Sequence, residues 1–376
     1  MIATITYPFL QEYWWLIISL LGSLLVFLMF VQGGQTLIYT IGKTDIQRTM
    51  LINTLGRKWE FTFTTLVTFG GAFFASFPLF YATSFGGAYW VWIAILFSFI
   101  LQAVSYEYRT KPANLLGTKT YEIFLFINGL MGTMLIGTAV GTFFNGAQFS
   151  LNEYNQVTWQ GAARGLEAVL TFHNVALGLT VFALSRVLAL QYFLNTVDDE
   201  EIEARSKKHL LLNTICFLIF FLSFTSILLI KNGFAYNIET GVVSMEKFKY
   251  LHNFIQMPLV LIVFLTGVIL VLWGIYTDLF RKAGKGIWFS GIGTVLTVFT
   301  LFLVAGYNNT CYYPSIYDLQ SSLNIRNSSS SEFTLKVMSI VSLLVPFVLA
   351  YIWYAWKSIN NKKIDKSEME SESTKY

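Results

Sequence analysis

The chain has 376 residues, of which 55% are hydrophobic and only 12% charged, against about 25% charged residues in an ordinary soluble domain. That composition excludes a water-soluble globular enzyme. The formal net charge of +4 is spread over separate short gaps instead of one basic stripe, so a nucleic-acid partner is excluded as well.

About 20 apolar residues in helical form cross a bilayer core, and the sequence supplies nine such runs. They fall at roughly 14 to 41, 61 to 85, 88 to 106, 120 to 145, 164 to 192, 209 to 231, 254 to 276, 286 to 306 and 333 to 356. The expected structure is an all-α, polytopic membrane protein forming a single integral domain over residues 1 to 357, with a polar, disordered tail over 358 to 376. Lys and Arg concentrate in every second gap: Lys43, Arg48, Arg57 and Lys58; Arg109, Lys111 and Lys119; Arg205, Lys207 and Lys208; Arg281, Lys282 and Lys285; and the tail. By the positive-inside rule these gaps are cytoplasmic, which puts the N-terminus outside and the C-terminus inside. The start lacks a basic segment and small-residue cleavage site, so the first span is expected to be retained.

Between the spans there is little room for a domain. The longest gap, about 307 to 332, is Tyr-rich and ends in a serine run. Asp198 to Glu203 is acidic and Arg205 to Lys208 basic, the pattern of a solvated helix with pairs four residues apart. Cys216 and Cys311 fall at different depths and are not expected to pair, and neither has metal-ligand spacing. Eight tryptophans, among them Trp14, Trp90, Trp288 and Trp356, sit near span ends, where an amphipathic ring is favoured.

Ionisable groups in or beside a membrane span are costly and default to functional candidates. Glu60 opens the second span and Glu107 closes the third, so both carboxylates lie on one side at similar depth. Two readings stand for them: a pair that passes protons inward, its pKa raised by partial burial, or interfacial partners of Arg57, Lys58, Arg109 and Lys111 that reach water by snorkelling. Gln32, Gln35 and Gln102 are polar but neutral, and Gly33-Gly34 permits close helix approach, which suits helix packing. His173 and His252 fall near the outer ends of two spans and are the chain's own haem or quinone-binding candidates. No phosphate loop, zinc spacing or Ser/His/Asp set is present. No catalytic residue is therefore assigned to this chain, and no metal site.

Several short segments in order then carry a resemblance. Tyr13-Trp14-Trp15-Leu16 opens span one, and Gly42-Lys43-Thr44-Asp45 with Met50-Leu51-Ile52-Asn53 fills the first cytoplasmic gap. Trp59-Glu60 stands where Trp-Asp is common, followed by Gly70-Gly71-Ala72-Phe73-Phe74-Ala75-Ser76-Phe77-Pro78. Glu107-Tyr108-Arg109-Thr110-Lys111 is similar to Asp-Tyr-Arg-Ser-Lys, and Thr334-Leu335-Lys336-Val337-Met338 leads into Val345-Pro346. Over nearly its whole length the chain resembles subunit II of cytochrome bd-type quinol oxidases. The resemblance implies a bacterial cytoplasmic-membrane (inner-membrane) complex of aerobic respiration that oxidises quinol and reduces dioxygen to water. It implies haems b and d in a partner subunit I, and a haem-free subunit II folded as two four-helix bundles plus one extra helix. Membrane lipid, quinol and a small single-helix subunit are further expected partners, and a bound quinone a further expected cofactor.

Carried over by position, Glu60 and Glu107 match carboxylates of a polar path from the cytoplasm, with Trp59, Tyr108 and Arg109 in support. The pattern departs in span one, where well-known members carry aspartates and this chain reads Leu28-Met29-Phe30-Val31-Gln32-Gly33-Gly34-Gln35. Gln32 and Gln35 can hold water but exchange no proton at neutral pH. Two other classes compete: a secondary transporter, which calls for broken helices and polar sites at mid-membrane, and a purely structural scaffold subunit.

Overall fold

The computed structural model describes residues 6–281, 284–360 and 362–365. In chain order the helices are α1 (Tyr7–Leu28), α2 (Phe30–Gln35), α3 (Ile38–Ile41), α4 (Asp45–Gly56), α5 (Trp59–Ser76), α6 (Pro78–Tyr81), α7 (Tyr89–Tyr108) and α8 (Thr118–Asn145). After a hairpin of β1 (Phe149–Leu151) and β2 (Val157–Trp159) come α9 (Phe172–Thr196) and α10 (Glu200–Ile230). A second antiparallel hairpin, β3 (Gly233–Tyr236) and β4 (Val243–Glu246), precedes α11 (Lys249–Gln256), α12 (Pro258–Phe280), α13 (Gly286–Gly306), α14 (Ile325–Ser328), α15 (Glu332–Ser342) and α16 (Val345–Ile359).

Eight helical stretches among the described residues are long and apolar enough to cross a membrane. The run expected at 61 to 85 is not one of them, because α5 has 18 residues, carries four threonines and ends at Phe77-Pro78. Yet α5 reaches both faces. Ser76 accepts a backbone hydrogen bond from Ser330 at one end, and Lys58, its N-cap, lies over Trp356 at the other.

Local sequence sets where the helices begin and break. Prolines occupy the first turns of α1, α6, α12 and α16, where a missing N–H costs nothing. Thr44 and Gln47 form a reciprocal capping box on α4, and Asp199 caps α10, each satisfying a free N–H of the first turn. The charged segment before the sixth span is continuous with it, a single 31-residue helix. Its Glu201–Arg205 and Glu203–Lys207 pairs, four residues apart, close at 3.2 and 2.5 Å.

α1, α2, α5, α7 and α8 pack as one group and α9, α10, α12 and α13 as another, joined through α8, α9 and the contact of α1 with α13. The central helix is α9, with 83% of its most apolar window buried, whereas α15 and α16 together have 11%. At one face the two hairpins and the 307–331 segment make a packed cap in which Tyr312, Tyr313 and Leu323 are buried. The opposite face carries the charged gaps. Of the expected tail, residues 361 and 366–376 lie outside the described residues; the earlier part folds back, with Ile364 buried and its backbone bonded to Thr196 and Asp198.

Candidate functional site

Residues spaced four apart share a helix face, and on α7 that face is Ser98, Gln102 and Tyr106, all buried. Against it lie Gln32 and Gln35 of α2 and Asn128 of α8. Gln32 Nε2 donates to Gln102 Oε1 at 2.8 Å, Gln35 Nε2 to Tyr106 Oη at 3.2 Å, and Asn128 Nδ2 to Ser98 Oγ at 3.4 Å. Trp59 stacks on the Tyr106 ring with centroids 5.8 Å apart. The three helices can meet so closely because Gly129 of α8 sits against the Gln32 carbonyl, which a Cβ there would approach to 2.4 Å. The column is under-satisfied: Gln32 Oε1, Gln35 Oε1, Gln102 Nε2 and Asn128 Oδ1 are buried without a hydrogen-bond partner. Buried polar atoms in that state are the ordinary lodging of ordered water.

At the end of the column toward the charged face lies a buried ion pair. Arg109 Nε and Nη2 reach Glu122 Oε1 at 3.1 and 2.8 Å, with both side chains about 95% buried, and Tyr39 donates to Glu122 Oε2. Sequence reasoning missed Glu122. Its signal was available, since it is a carboxylate three residues inside a predicted span, the situation that made Glu60 and Glu107 stand out.

The remaining candidates lie elsewhere. Glu107 is exposed and pairs with Lys111 at 3.3 Å, and Tyr108 beside it is exposed too. Glu60 is exposed at the start of α5, in a groove it shares with Arg57, Phe61, Val348 and Tyr351. The fold thus gathers Gln32, Gln35, Trp59 and Arg109 around one column and leaves Glu60 and Glu107 on the outer surface of the isolated chain.

The histidines belong to two separate networks. His173 is buried, stacked on Phe224 with centroids 4.6 Å apart, its Nδ1 2.9 Å from Asn145 Nδ2. His252 is half exposed and its Nδ1 lies 2.9 Å from Glu246 Oε1. They share no hydrogen-bond partner. Cys216 and Cys311 are both free thiols.

Packed helices of membrane-spanning length around a buried polar column define a polytopic integral-membrane protein, and the comparisons say of which family. The model of the family described as cytochrome bd terminal oxidase subunit II matches residues 10–359. The chain is 29% identical over 364 residues to a probable cytochrome oxidase subunit 2 of Haemophilus influenzae, covering 93% of this chain and 94% of that one. It is 27% identical to the cytochrome bd-I ubiquinol oxidase subunit 2 of Escherichia coli K12, covering 97% and 98%. The bd oxidase structure from Geobacillus thermodenitrificans superposes with a TM-score of 0.57 at 12% identity, covering 93% of this chain and 98% of that one, which is a likeness of fold. The chain belongs to the cytochrome bd terminal oxidase subunit II family and is a multi-pass membrane subunit of a quinol oxidase complex. That membership sets aside the transporter alternative.

Proposed function

We propose that this chain is the haem-free companion of the haem-bearing subunit I, that it holds that partner in the membrane, and that its polar column admits water and protons from the cytoplasmic side to support dioxygen reduction to water. In this reading the charged face is cytoplasmic, and the haems b and d belong to the partner. One observation carries the reading: four buried polar atoms without partners line up between α2, α7 and α8. Glutamines exchange no proton, so conduction along them is by water, with Gln32, Gln35 and Gln102 as its fixed hydrogen-bonding wall. Glu107 and Glu60 at the charged face would collect protons, and the Arg109–Glu122 pair would hold the mouth open between α7 and α8.

The test is quinol-driven oxygen consumption by the intact complex carrying Gln102→Leu, Glu107→Gln or Glu60→Gln. Drying the column with leucine is expected to slow turnover about 100-fold or more, the low end of what positioned proton transfer contributes, with haem content unchanged. The glutamate variants are expected to lower turnover without loss of haem. If all three variants turn over like the parent at every pH, the subunit serves only as a scaffold.

The exposed Glu107–Lys111 pair favours that second, purely structural reading, since a solvated ion pair suffices to account for Glu107.

A further inference from the structure

Arg186 lies past the middle of α9, and no carboxylate among the described residues forms an ion pair with it. Its guanidinium sits 5.4 Å from the centroid of the Phe182 ring, one turn farther from the charged face, and its Nε is buried without a hydrogen-bond partner. Its titratable neighbours are the Cys216 thiol and His209 of α10, neither of which offers a negative charge at neutral pH. Cys216 stands six residues inside the apolar stretch of α10 that begins at Leu210, about 9 Å at 1.5 Å per residue. Arg186 is thus a charge held inside the bilayer, where it is costly unless paired. An arginine near a membrane surface can snorkel to it; this one runs over Phe182, away from the charged face, so a headgroup at that surface is not its partner.

The burial pattern shows that Arg186 is open to the outside of the bundle. α9 is mostly buried, but Leu179, Phe182 and Arg186, three and four residues apart, are half-exposed along one face. Cys216, Phe220 and Ser223 repeat that spacing and that exposure on α10. α8 packs on a second side of α9, where Gly137 and Gly141 lie against Gly178 and Asn174, and α10 on a third, where Phe224 stacks on His173. The half-exposed strip of α9 is therefore the floor of a groove walled by α8 and α10. A wholly apolar helix would fill that groove and leave the guanidinium unmatched. A spanning helix with an aspartate or glutamate at the depth of Cys216 supplies both the volume and the charge. A second copy of this chain has no such acid to give, since Glu122 and Asp278, the carboxylates well inside its own spans, are buried and engaged by Arg109 and by the Gly286 backbone.

We propose that the groove between α8 and α10 receives a membrane-spanning helix of another polypeptide, whose aspartate or glutamate pairs with Arg186 inside the bilayer. Arg186 thereby sets both partner and register, because a helix that lacks the acid, or carries it at another depth, leaves the charge unpaired.

Photocrosslinking of the intact complex in native membranes tests this, with Phe220→p-benzoylphenylalanine on the groove wall and the adduct sequenced by mass spectrometry. The expected adduct joins α10 to an apolar segment of at least about 18 residues that contains an Asp or Glu. Arg186→Met is expected to lower its yield at least 10-fold while the haem content and the membrane level of this chain stay unchanged, and Arg186→Lys, which keeps the charge, to crosslink like the parent. If Arg186→Met does not accumulate, the decision falls to charge reversal: Arg186→Glu with the partner's acid changed to Arg is expected to restore both level and adduct, and a reversal that restores neither overturns the proposal. Equal yields from the parent and Arg186→Met overturn it too, as do adducts to lipid or to a second copy of this chain alone, an adduct whose spanning segment holds no carboxylate, and the absence of any adduct.

Discussion

At the scale of single residues, Arg109 and Glu122 show how much depends on completeness of pairing. Both are about 95% buried, and each is the other's charge partner. Removing one partner of such a pair leaves an uncompensated charge and costs about 3–5 kcal/mol, whereas replacing both by apolar groups is often near neutral. Glu122→Gln is therefore expected to lower the thermal stability of the purified complex sharply, and Arg109→Met with Glu122→Met to recover most of the loss. A double variant no better than Glu122→Gln would mean the pair does something other than neutralise itself. Arg109 stood out from the sequence because it follows Glu107 in a recognisable segment. Glu122 did not, because nothing in one sequence says that a carboxylate 13 residues away in the chain folds back onto that arginine.

At the scale of elements, glycine decides how near two helices come. A Cβ on Gly33 would sit 2.2 Å from the Ser185 carbonyl, inside the backbone of α9, while one on Gly71 would meet nothing within 4 Å. Overpacking of this kind typically costs about 1–3 kcal/mol. Gly33→Ala is expected to lower the melting temperature of the complex by several degrees and Gly71→Ala to leave it unchanged; equal melts for the two would show that the α2–α9 contact is not tight in the assembled protein. The Gly33-Gly34 pair was legible as a close-approach site, but its partner helix was not, since packing partners in a membrane are chosen by shape, not by apolarity. Element boundaries follow the same division. The charged stretch at 198–208 was readable as a helix from its charge spacing, and its fusion with the sixth span into 31 residues came from having no residue that stops a helix between them. The tyrosines of the 307–332 gap gave no periodic signal, yet Tyr312 and Tyr313 are buried because they pack down onto Phe80 and Phe143, with Trp15 and Phe77 against Tyr312 and Phe149 of β1 against Tyr313.

At the scale of the whole molecule, the chain is an incomplete object. Its last span is 11% buried, and Leu344, Phe347, Val348, Tyr351 and Trp353 are exposed, a face fitted to lipid or to a partner subunit. A tagged chain extracted gently from native membranes is expected to bring with it a larger subunit with b- and d-type haem bands in the dithionite-reduced minus oxidised spectrum, and quinol-dependent oxygen uptake. A colourless single polypeptide would refute the assignment of the haems to a tightly held partner.

The sequence by itself determined the solvent, the all-helical class and the family, because each of these rests on local properties: a run of apolar residues long enough to cross a bilayer, and short motifs in order. Tertiary structure alone decided which polar groups meet. It joined Gln32 to Gln102 and Gln35 to Tyr106 across about 70 residues of chain, turned Glu107 outward to Lys111, and left Lys58 buried against Trp356. Those outcomes depend on helix rotation and on which helices are neighbours, and in a bilayer that already satisfies every apolar face, hydropathy carries no information about either.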